Sequence, residues 1–224
     1  MPTVWRQAIA EFIGTFALIF IGAGAIVADK VMGGAVGLTG IALAHGLAIA
    51  TMVSALGAVS GGHFNPAVTF GFLVTRRIAV SSAAVYVAAQ LLGAVVAAAI
   101  LKGTAPAAAV AAVSLGTPAL GNGTAFATGV VIEAVLTFFL VTAVFGTAVD
   151  PRAPKIGGFG IGLVIAMDIF MGGPLTGAAM NPARAFGPAL LQGFWSDHLV
   201  YWIGPLLGGG VAALAYEWGL MQKT

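Results

Sequence analysis

Apolar residues run along the chain in six long stretches, and the short segments between them hold most of the charged side chains. A membrane-spanning helix needs roughly 20 mostly apolar residues, and every stretch is long enough to form one. The pattern therefore predicts six transmembrane helices, numbered here spans 1 to 6, at about residues 6–28, 37–58, 80–102, 126–148, 156–174 and 199–219.

Composition narrows the class of protein further. The chain has 224 residues, of which 60% are hydrophobic and 7% are charged, whereas a soluble domain is about 25% charged. So few charges cannot cover a soluble fold, which excludes a cytosolic enzyme, a disordered chain and a nucleic-acid binder. The net charge of +2 also argues against nucleic acid as a partner. We expect an all-α, integral, multi-pass membrane protein whose surroundings are the lipid bilayer.

The residue types that enzymes and metal sites need are scarce. The absence of cysteine excludes disulfides, thiolate metal sites and thiol catalysis. The three histidines, His45, His63 and His198, lack the close spacing of metal ligands. We therefore expect no metal, no cofactor and no enzymatic activity.

The basic residues predict how the chain is oriented. Six spans place both termini on the same side of the membrane. Six lysines and arginines fall on that side and two on the other, so the positive-inside rule places both termini in the cytoplasm, with the cell membrane as the expected location. The six are Arg6, Arg76, Arg77, Arg152, Lys155 and Lys223, and the two are Lys30 and Lys102.

The two halves of the chain, about residues 1–105 and 122–224, resemble each other within one domain that spans residues 1–224. Glu11-Phe-Ile-Gly-Thr-Phe in span 1 matches Glu133-Ala-Val-Leu-Thr-Phe in span 4. Three spans per repeat is an odd number, so the second copy is inverted in the membrane. Inverted repeats are typical of channels and transporters with a central site near the midplane.

Small residues recur at every fourth position in spans 2 and 5. This spacing places them on one face of each helix, where they allow two backbones to approach closely. We therefore expect spans 2 and 5 to cross at the centre of the molecule. The residues are Ala42, Gly46 and Ala50 in span 2, and Gly158, Gly162 and Ala166 in span 5.

An Asn-Pro-Ala sequence follows each of these two spans, at Asn65-Pro66-Ala67 and at Asn181-Pro182-Ala183. Asparagine is a good helix N-cap, and proline is favoured at the first helical position. Each segment predicts irregular backbone that leads into a helix of about ten residues, which is too short to span. Irregular backbone at membrane depth must be buried in protein or line water. We expect two re-entrant half-helices that meet at the midplane.

With these features the sequence resembles the aquaporin family, the major intrinsic proteins, over essentially its whole length. The resemblance rests on the two Asn-Pro-Ala sequences, on Arg184 three residues after Asn181, and on the pair Glu11 and Glu133. It implies a bundle of six helices and two half-helices, assembled as a homotetramer with one pore per protomer. It also implies a passive water channel that excludes protons and ions.

The resemblance implies roles for individual residues. Asn65 and Asn181 would orient water at the midplane, while Glu11 and Glu133 would support the re-entrant segments. Backbone carbonyls would form a ladder of acceptors for single-file water, at Gly61, Gly62, His63, Gly177, Ala178 and Ala179.

By offset from the Asn-Pro-Ala sequences, the selectivity filter is expected at His45, Ile169, Ala178 and Arg184. This combination resembles plant vacuolar aquaporins, several of which also pass ammonia. The alternatives are a facilitator of glycerol or another small neutral solute, and a secondary transporter that would use Asp168 and His45 as titratable groups. A side chain one residue before Ile169 points about 100° away from it, so we expect Asp168 to face away from the lumen and to have a hydrogen-bond partner.

Overall fold

The computed structural model describes residues 3–154 and 156–222, and within these ranges it contains helices and no strand. The sequence predictions for Lys155 and Lys223 fall outside the described residues. In chain order the helices are α1 (Val4–Val31), α2 (Gly37–Ser60), α3 (Pro66–Val74), α4 (Val80–Thr104), α5 (Ala107–Ala112), α6 (Phe126–Val149), α7 (Phe159–Thr176), α8 (Pro182–Gln192) and α9 (Val200–Ala215).

The prediction of six spans is confirmed. Five helices, α1, α2, α4, α6 and α7, are long and apolar enough to cross a membrane, and α9 becomes the sixth because a π-helical turn at Tyr216–Leu220 extends its 16 residues. The ends of α2 and α7 lie two residues beyond the predicted ones. Each of these helices runs on until a glycine, Gly61 or Gly177, adopts a left-handed conformation and stops it.

The predicted crossing of spans 2 and 5 is also confirmed, because α2 packs directly against α7. A Cβ atom added to Gly162 would collide with the carbonyl oxygen of Gly46, and one added to Gly46 would lie 2.5 Å from the carbonyl oxygen of Gly162. Glycine at both positions is therefore what lets the two backbones touch.

The two half-helices lock the halves of the molecule together. Helix α3, which belongs to the first half, packs against α9 of the second half, while α8 packs against α4 of the first half. With 9 and 11 residues they are about 14–17 Å long at 1.5 Å per residue, which is roughly half of the hydrocarbon core. Their N-termini therefore meet inside the bundle, as predicted.

Candidate functional site

The two asparagines of the Asn-Pro-Ala sequences connect the half-helices to each other. Asn65 Oδ1 accepts a hydrogen bond from Ala67 N (2.8 Å), and Asn181 Oδ1 accepts one from Ala183 N (3.0 Å), so both residues are N-caps as predicted. Each Nδ2 group also donates across the midplane, Asn65 to Met180 O and Asn181 to Phe64 O, both at 2.9 Å. No local pattern in the sequence predicts this reciprocal pair.

Glu11 is fully buried and binds the segment that precedes α3. Its Oε1 accepts hydrogen bonds from Ser60 Oγ (2.6 Å) and His63 N (3.0 Å). Its Oε2 accepts from Phe64 N (2.6 Å) and Gln90 Nε2 (2.7 Å). Because the carboxylate satisfies the N–H groups of this irregular backbone, the segment is stable at membrane depth.

Glu133 does the same for the segment that precedes α8, and it is also fully buried. Its Oε1 accepts hydrogen bonds from Thr176 Oγ1 (2.7 Å) and Ala179 N (2.9 Å), and its Oε2 accepts one from Met180 N (2.7 Å). Both glutamates therefore face protein rather than lipid, which is the usual solution for a carboxylate inside a membrane span.

Between these segments lies a narrow cavity of about 30 Å³. One side is polar and is lined by the backbone of residues 62–65 and 178–181, and the other side is apolar. The apolar side chains come from five helices, α1, α2, α3, α6 and α7, and they include Ile49, Leu140, Val144, Ile161 and Ile165. A water molecule needs at least 10–15 Å³ of such space, so the cavity has room for about two or three waters.

The predicted carbonyl residues fall at different places along this path. Gly62, His63, Ala178 and Ala179 line the narrow cavity, Gly177 lines a wider outer cavity, and Gly61 lines neither of the two. Sequence reasoning missed Phe64 and Met180, which line the narrow cavity and whose carbonyls accept the asparagine amides. Their position immediately before Asn65 and Asn181 was the available signal.

Three of the four predicted filter residues lie where the narrow cavity meets the outer cavity of about 280 Å³. His45, Ile169 and Arg184 line both cavities, whereas Ala178 lines only the narrow one. The junction therefore combines an imidazole, an apolar side chain and a guanidinium in one short section of the path.

Hydrogen bonds to backbone carbonyls hold the two polar side chains at this junction. Arg184 Nη1 donates to Gly116 O at 2.8 Å, and His45 Nδ1 lies 2.8 Å from Ile41 O. A carbonyl only accepts, so His45 Nδ1 carries a proton. The His45 ring occupies the space beside Gly22. Sequence reasoning also missed Gly116, which lies in the connection between α5 and α6 that has no periodic pattern.

Asp168 is 2% exposed and lines neither of the two cavities. It therefore faces away from the lumen, as predicted. The expected hydrogen-bond partner is wrong for one of its oxygens, because Oδ2 is buried with no partner among the described residues. Helix α7, which contains Asp168, packs against α6. One turn further along, a Cβ atom on Gly172 would collide with Leu136.

Together the fold and this site define a membrane protein with a narrow, half-polar passage along the seam between two re-entrant half-helices. Consistent with this, a family model described as major intrinsic protein matches residues 1–216. The chain therefore belongs to the major intrinsic protein family, whose aquaporins are channels and not enzymes.

Known proteins are similar to the chain in sequence and in fold. The chain is 50% identical over 222 residues to "Aquaporin TIP4-4" of Zea mays, covering 95% of this chain and 85% of the relative. It is 43% identical over 243 residues to "Probable aquaporin TIP3-2" of Arabidopsis thaliana, covering 100% of this chain and 86% of the relative. The fold is similar to that of the aquaglyceroporin from Plasmodium falciparum, with a TM-score of 0.84, 24% identity and 97% of each chain covered.

Proposed function

We propose that the chain forms a passive water channel that excludes protons and other ions, with the narrow cavity as its conduction path. The observation that supports this best is the reciprocal asparagine pair at the facing N-termini of α3 and α8. The aquaporin names of the relatives point the same way.

The asparagines account for proton exclusion. In each asparagine amide, Oδ1 accepts the capping hydrogen bond, and one Nδ2 hydrogen is donated to a carbonyl of the opposite re-entrant segment. An NH₂ group has two hydrogens, so one remains to donate into the lumen that both asparagines line. A water at this point accepts from both amides and directs its own hydrogens outward along the pore. The chain of water-to-water hydrogen bonds is then interrupted.

Electrostatics adds to this barrier. Each half-helix places roughly half a positive charge at its N-terminus, and the two N-termini meet at the same place. Arg184 supplies a full positive charge at the outer junction, where it is 3% exposed and bound to Gly116 O. A fixed cation at a narrowing repels protons and other cations. We infer that Arg184 is the main charge barrier.

The filter composition extends the proposal to ammonia. His45 and Ile169 give the junction one polar and one apolar wall, and Ala178 leaves the space beside them open. Ammonia is less costly to dehydrate than water is, so an apolar wall disfavours it less than a fully polar one would. Glycerol also needs an aromatic corner for its carbon chain, which is missing from these positions. We propose that water passes fastest, ammonia measurably, and glycerol weakly.

The location and assembly of the channel are also proposals. Both termini are placed in the cytoplasm by the basic residues, and a homotetramer follows from the family resemblance. The cell-membrane location expected from the sequence alone is replaced by a vacuolar membrane. Both the likeness of the filter to plant vacuolar aquaporins and the TIP-type names of the relatives favour the vacuole.

Stopped-flow light scattering on proteoliposomes tests the central proposal. The protein is expected to speed osmotic shrinkage well above that of empty vesicles, without saturation and without a proton gradient. The replacement Asn181→Asp retains a capping oxygen but removes the NH₂ donor, so it should weaken proton exclusion. Asn122→Ala, at an exposed turn, is the matched control. Saturable flux that depends on a proton gradient would instead establish a secondary transporter.

A second experiment tests the filter. Exchanging His45 for Phe together with Ile169 for His should narrow the junction and suppress ammonia flux more than water flux. The measurement is internal alkalinisation of vesicles after an ammonium gradient, compared with protein-free lipid because ammonia crosses bare bilayers. Equal rates for wild-type and empty vesicles, in preparations that conduct water, would leave a strict water channel.

A further inference from the structure

A large apolar groove lies on the outer surface of the bundle, separate from the conduction path. It has a volume of about 510 Å³ and is formed where α3, α4 and α9 meet. Its lining, drawn from the described residues, shares no residue with the narrow cavity or the outer cavity and includes no charged side chain. The chemistry of the groove is therefore that of a hydrocarbon site.

The groove is lined by small side chains of α4 and by larger ones of α3. The small ones are alanines at 83, 84 and 88, and the larger ones are Phe70 and Leu73. Trp202 of α9 also lines the groove. An extended, flexible hydrocarbon chain fits such a long apolar depression, which faces the region that lipid occupies.

The connection between α3 and α4 brings positive charge to one end of this groove. Leu73, near the end of α3, and Val80, the first residue of α4, both line it. Arg76 and Arg77 lie between them in the chain. Arg77 is bound to Glu217 at 2.6 Å. The exposed Arg76 side chain makes no hydrogen bond or ion pair with any described residue. The Arg76 guanidinium, which has no partner among the described residues, therefore belongs to the short segment that joins two residues of the groove lining.

We propose that this groove binds a phospholipid with an anionic headgroup, with one acyl chain against α3 and α4 and the phosphate on Arg76. An arginine binds phosphate through its fork of N–H donors. The apolar lining supplies the affinity for the chain, and Arg76 supplies the preference for negative charge. The site lies on the cytoplasmic side if the basic residues orient the chain as proposed.

The lipid chain would lie against the back of the half-helix that forms part of the pore wall. Thr69 lines the groove and accepts a hydrogen bond from Gln90 Nε2 at 3.0 Å, while His63 Nδ1 lies 3.1 Å from Thr69 Oγ1. His63 in turn lines the narrow cavity. A bound chain would therefore stabilise α3 from outside, whichever solute the channel passes.

Native mass spectrometry of the purified full-length protein tests the proposal, with phosphatidylglycerol and phosphatidylcholine added in equal amounts. We expect the wild type to retain phosphatidylglycerol preferentially. Arg76→Gln should reduce this preference at least threefold, and Ala84→Leu should reduce the retention of both lipids by filling the groove. The matched controls are Ala99→Leu, at an exposed alanine of α4 outside the groove, and Arg6→Gln, an arginine remote from the groove in sequence. Both controls should behave like the wild type.

A second measurement locates the lipid. Phosphatidylglycerol with brominated acyl chains should quench tryptophan fluorescence less in Trp202→Phe than in Trp218→Phe, since only Trp202 lines the groove. Equal lipid retention by Ala84→Leu and Ala99→Leu would overturn the proposal. A change in oligomeric state confined to Ala84→Leu would overturn it as well, because the groove would then be an interface between copies. Competition by glycerol phosphate alone, without acyl chains, would exclude the acyl-chain contact.

Discussion

The two halves of the molecule support their re-entrant segments with the same hydrogen bonds but differ in the residues that face the solute. In each half a buried glutamate accepts one hydroxyl and two consecutive backbone N–H groups. In each half a tyrosine hydroxyl also binds the last carbonyl of the preceding helix, Tyr86 to Ser60 O and Tyr201 to Thr176 O. The scaffold is therefore duplicated with little change.

The differences lie around this scaffold. Arg184 occupies the third position after its asparagine, whereas the equivalent position in the first half is Val68. Glu11 has a fourth donor, Gln90. Counted from the matched tyrosines Tyr86 and Tyr201, the corresponding position of α9 is Pro205. Charge for the filter is thus present in one half only. The comparison indicates that the fold tolerates different residues at these positions, on which the proposed selectivity depends.

The largest expected effect is on proton exclusion. It comes from giving the second half the residue that the first half has at the equivalent position. Arg184→Val should increase proton or small-cation flux on the order of tenfold or more while water still passes, because the fixed charge at the junction is removed. The measurement is a pH-sensitive dye in proteoliposomes, with water flux recorded on the same preparation.

Val68→Ala is the matched control, because it changes an apolar lumen residue on the equivalent half-helix without changing charge. It should leave the proton flux at the wild-type level. If Arg184→Val conducts water and shows no proton or ion current, the asparagine pair alone is the barrier.

Removing a charge from the scaffold should destabilise the protein. In Glu133→Gln the amide NH₂ must face at least one of the three donors that the carboxylate now satisfies, and hydrogen bonds to a charged group contribute about 1.5–3 kcal/mol each. We expect a loss of about 2–4 kcal/mol, seen as a lower midpoint of thermal unfolding in detergent. Glu217→Gln, which breaks only the partly exposed pair with Arg77, should cost less than about 1 kcal/mol.

The repeat also suggests a substitution in the second half that should stabilise the protein. Asp168 corresponds to Met52 in the first half, and its Oδ2 is buried without a partner among the described residues. A buried unsatisfied polar atom costs about 1–3 kcal/mol, so Asp168→Met should raise the free energy of unfolding by about that amount, seen as a higher midpoint of thermal unfolding. A lower midpoint would mean that Asp168 makes a stabilising interaction with water or lipid.

How far the sequence could predict this molecule depended on the range of the interaction. Hydrophobic runs, Asn-Pro caps and four-residue glycine spacing are local signals, and they predicted the spans, the half-helices and the crossing at Gly46 and Gly162. Other contacts join residues that are distant in the chain. They are the hydrogen bond from Arg184 to Gly116 and the asparagine hydrogen bonds between the two halves. They depend on how an aperiodic connection and two irregular segments fold over the bundle. No local pattern determines that geometry, and the missing partner of Asp168 escaped prediction for the same reason.

The smallest expected effect is on stability and concerns the C-terminal ends of α1 and α6, the first span of each half. Near the end of α1, Asp29 Oδ1 accepts a hydrogen bond from Gly37 N at 2.8 Å. After α6, the Arg152 guanidinium beside Asp150 holds the pKa of that carboxyl well below its ordinary value. A lowered pKa in the folded state stabilises the protein above the unfolded pKa of about 3.9. That contribution is lost as the pH falls below about 4 toward the folded pKa.

We therefore expect Asp150→Asn to lower the unfolding midpoint slightly at neutral pH and to reduce its fall between about pH 4 and pH 2. Asp29→Asn should retain the acid-dependent fall, because an asparagine oxygen still accepts the hydrogen bond from Gly37 N and the Asp150 pair is unchanged. Thermal unfolding of both variants and the wild type across this pH range measures the difference. An identical acid profile for Asp150→Asn and wild type would show that the ion pair after α6 contributes nothing to stability, and that the two helix ends differ in geometry alone.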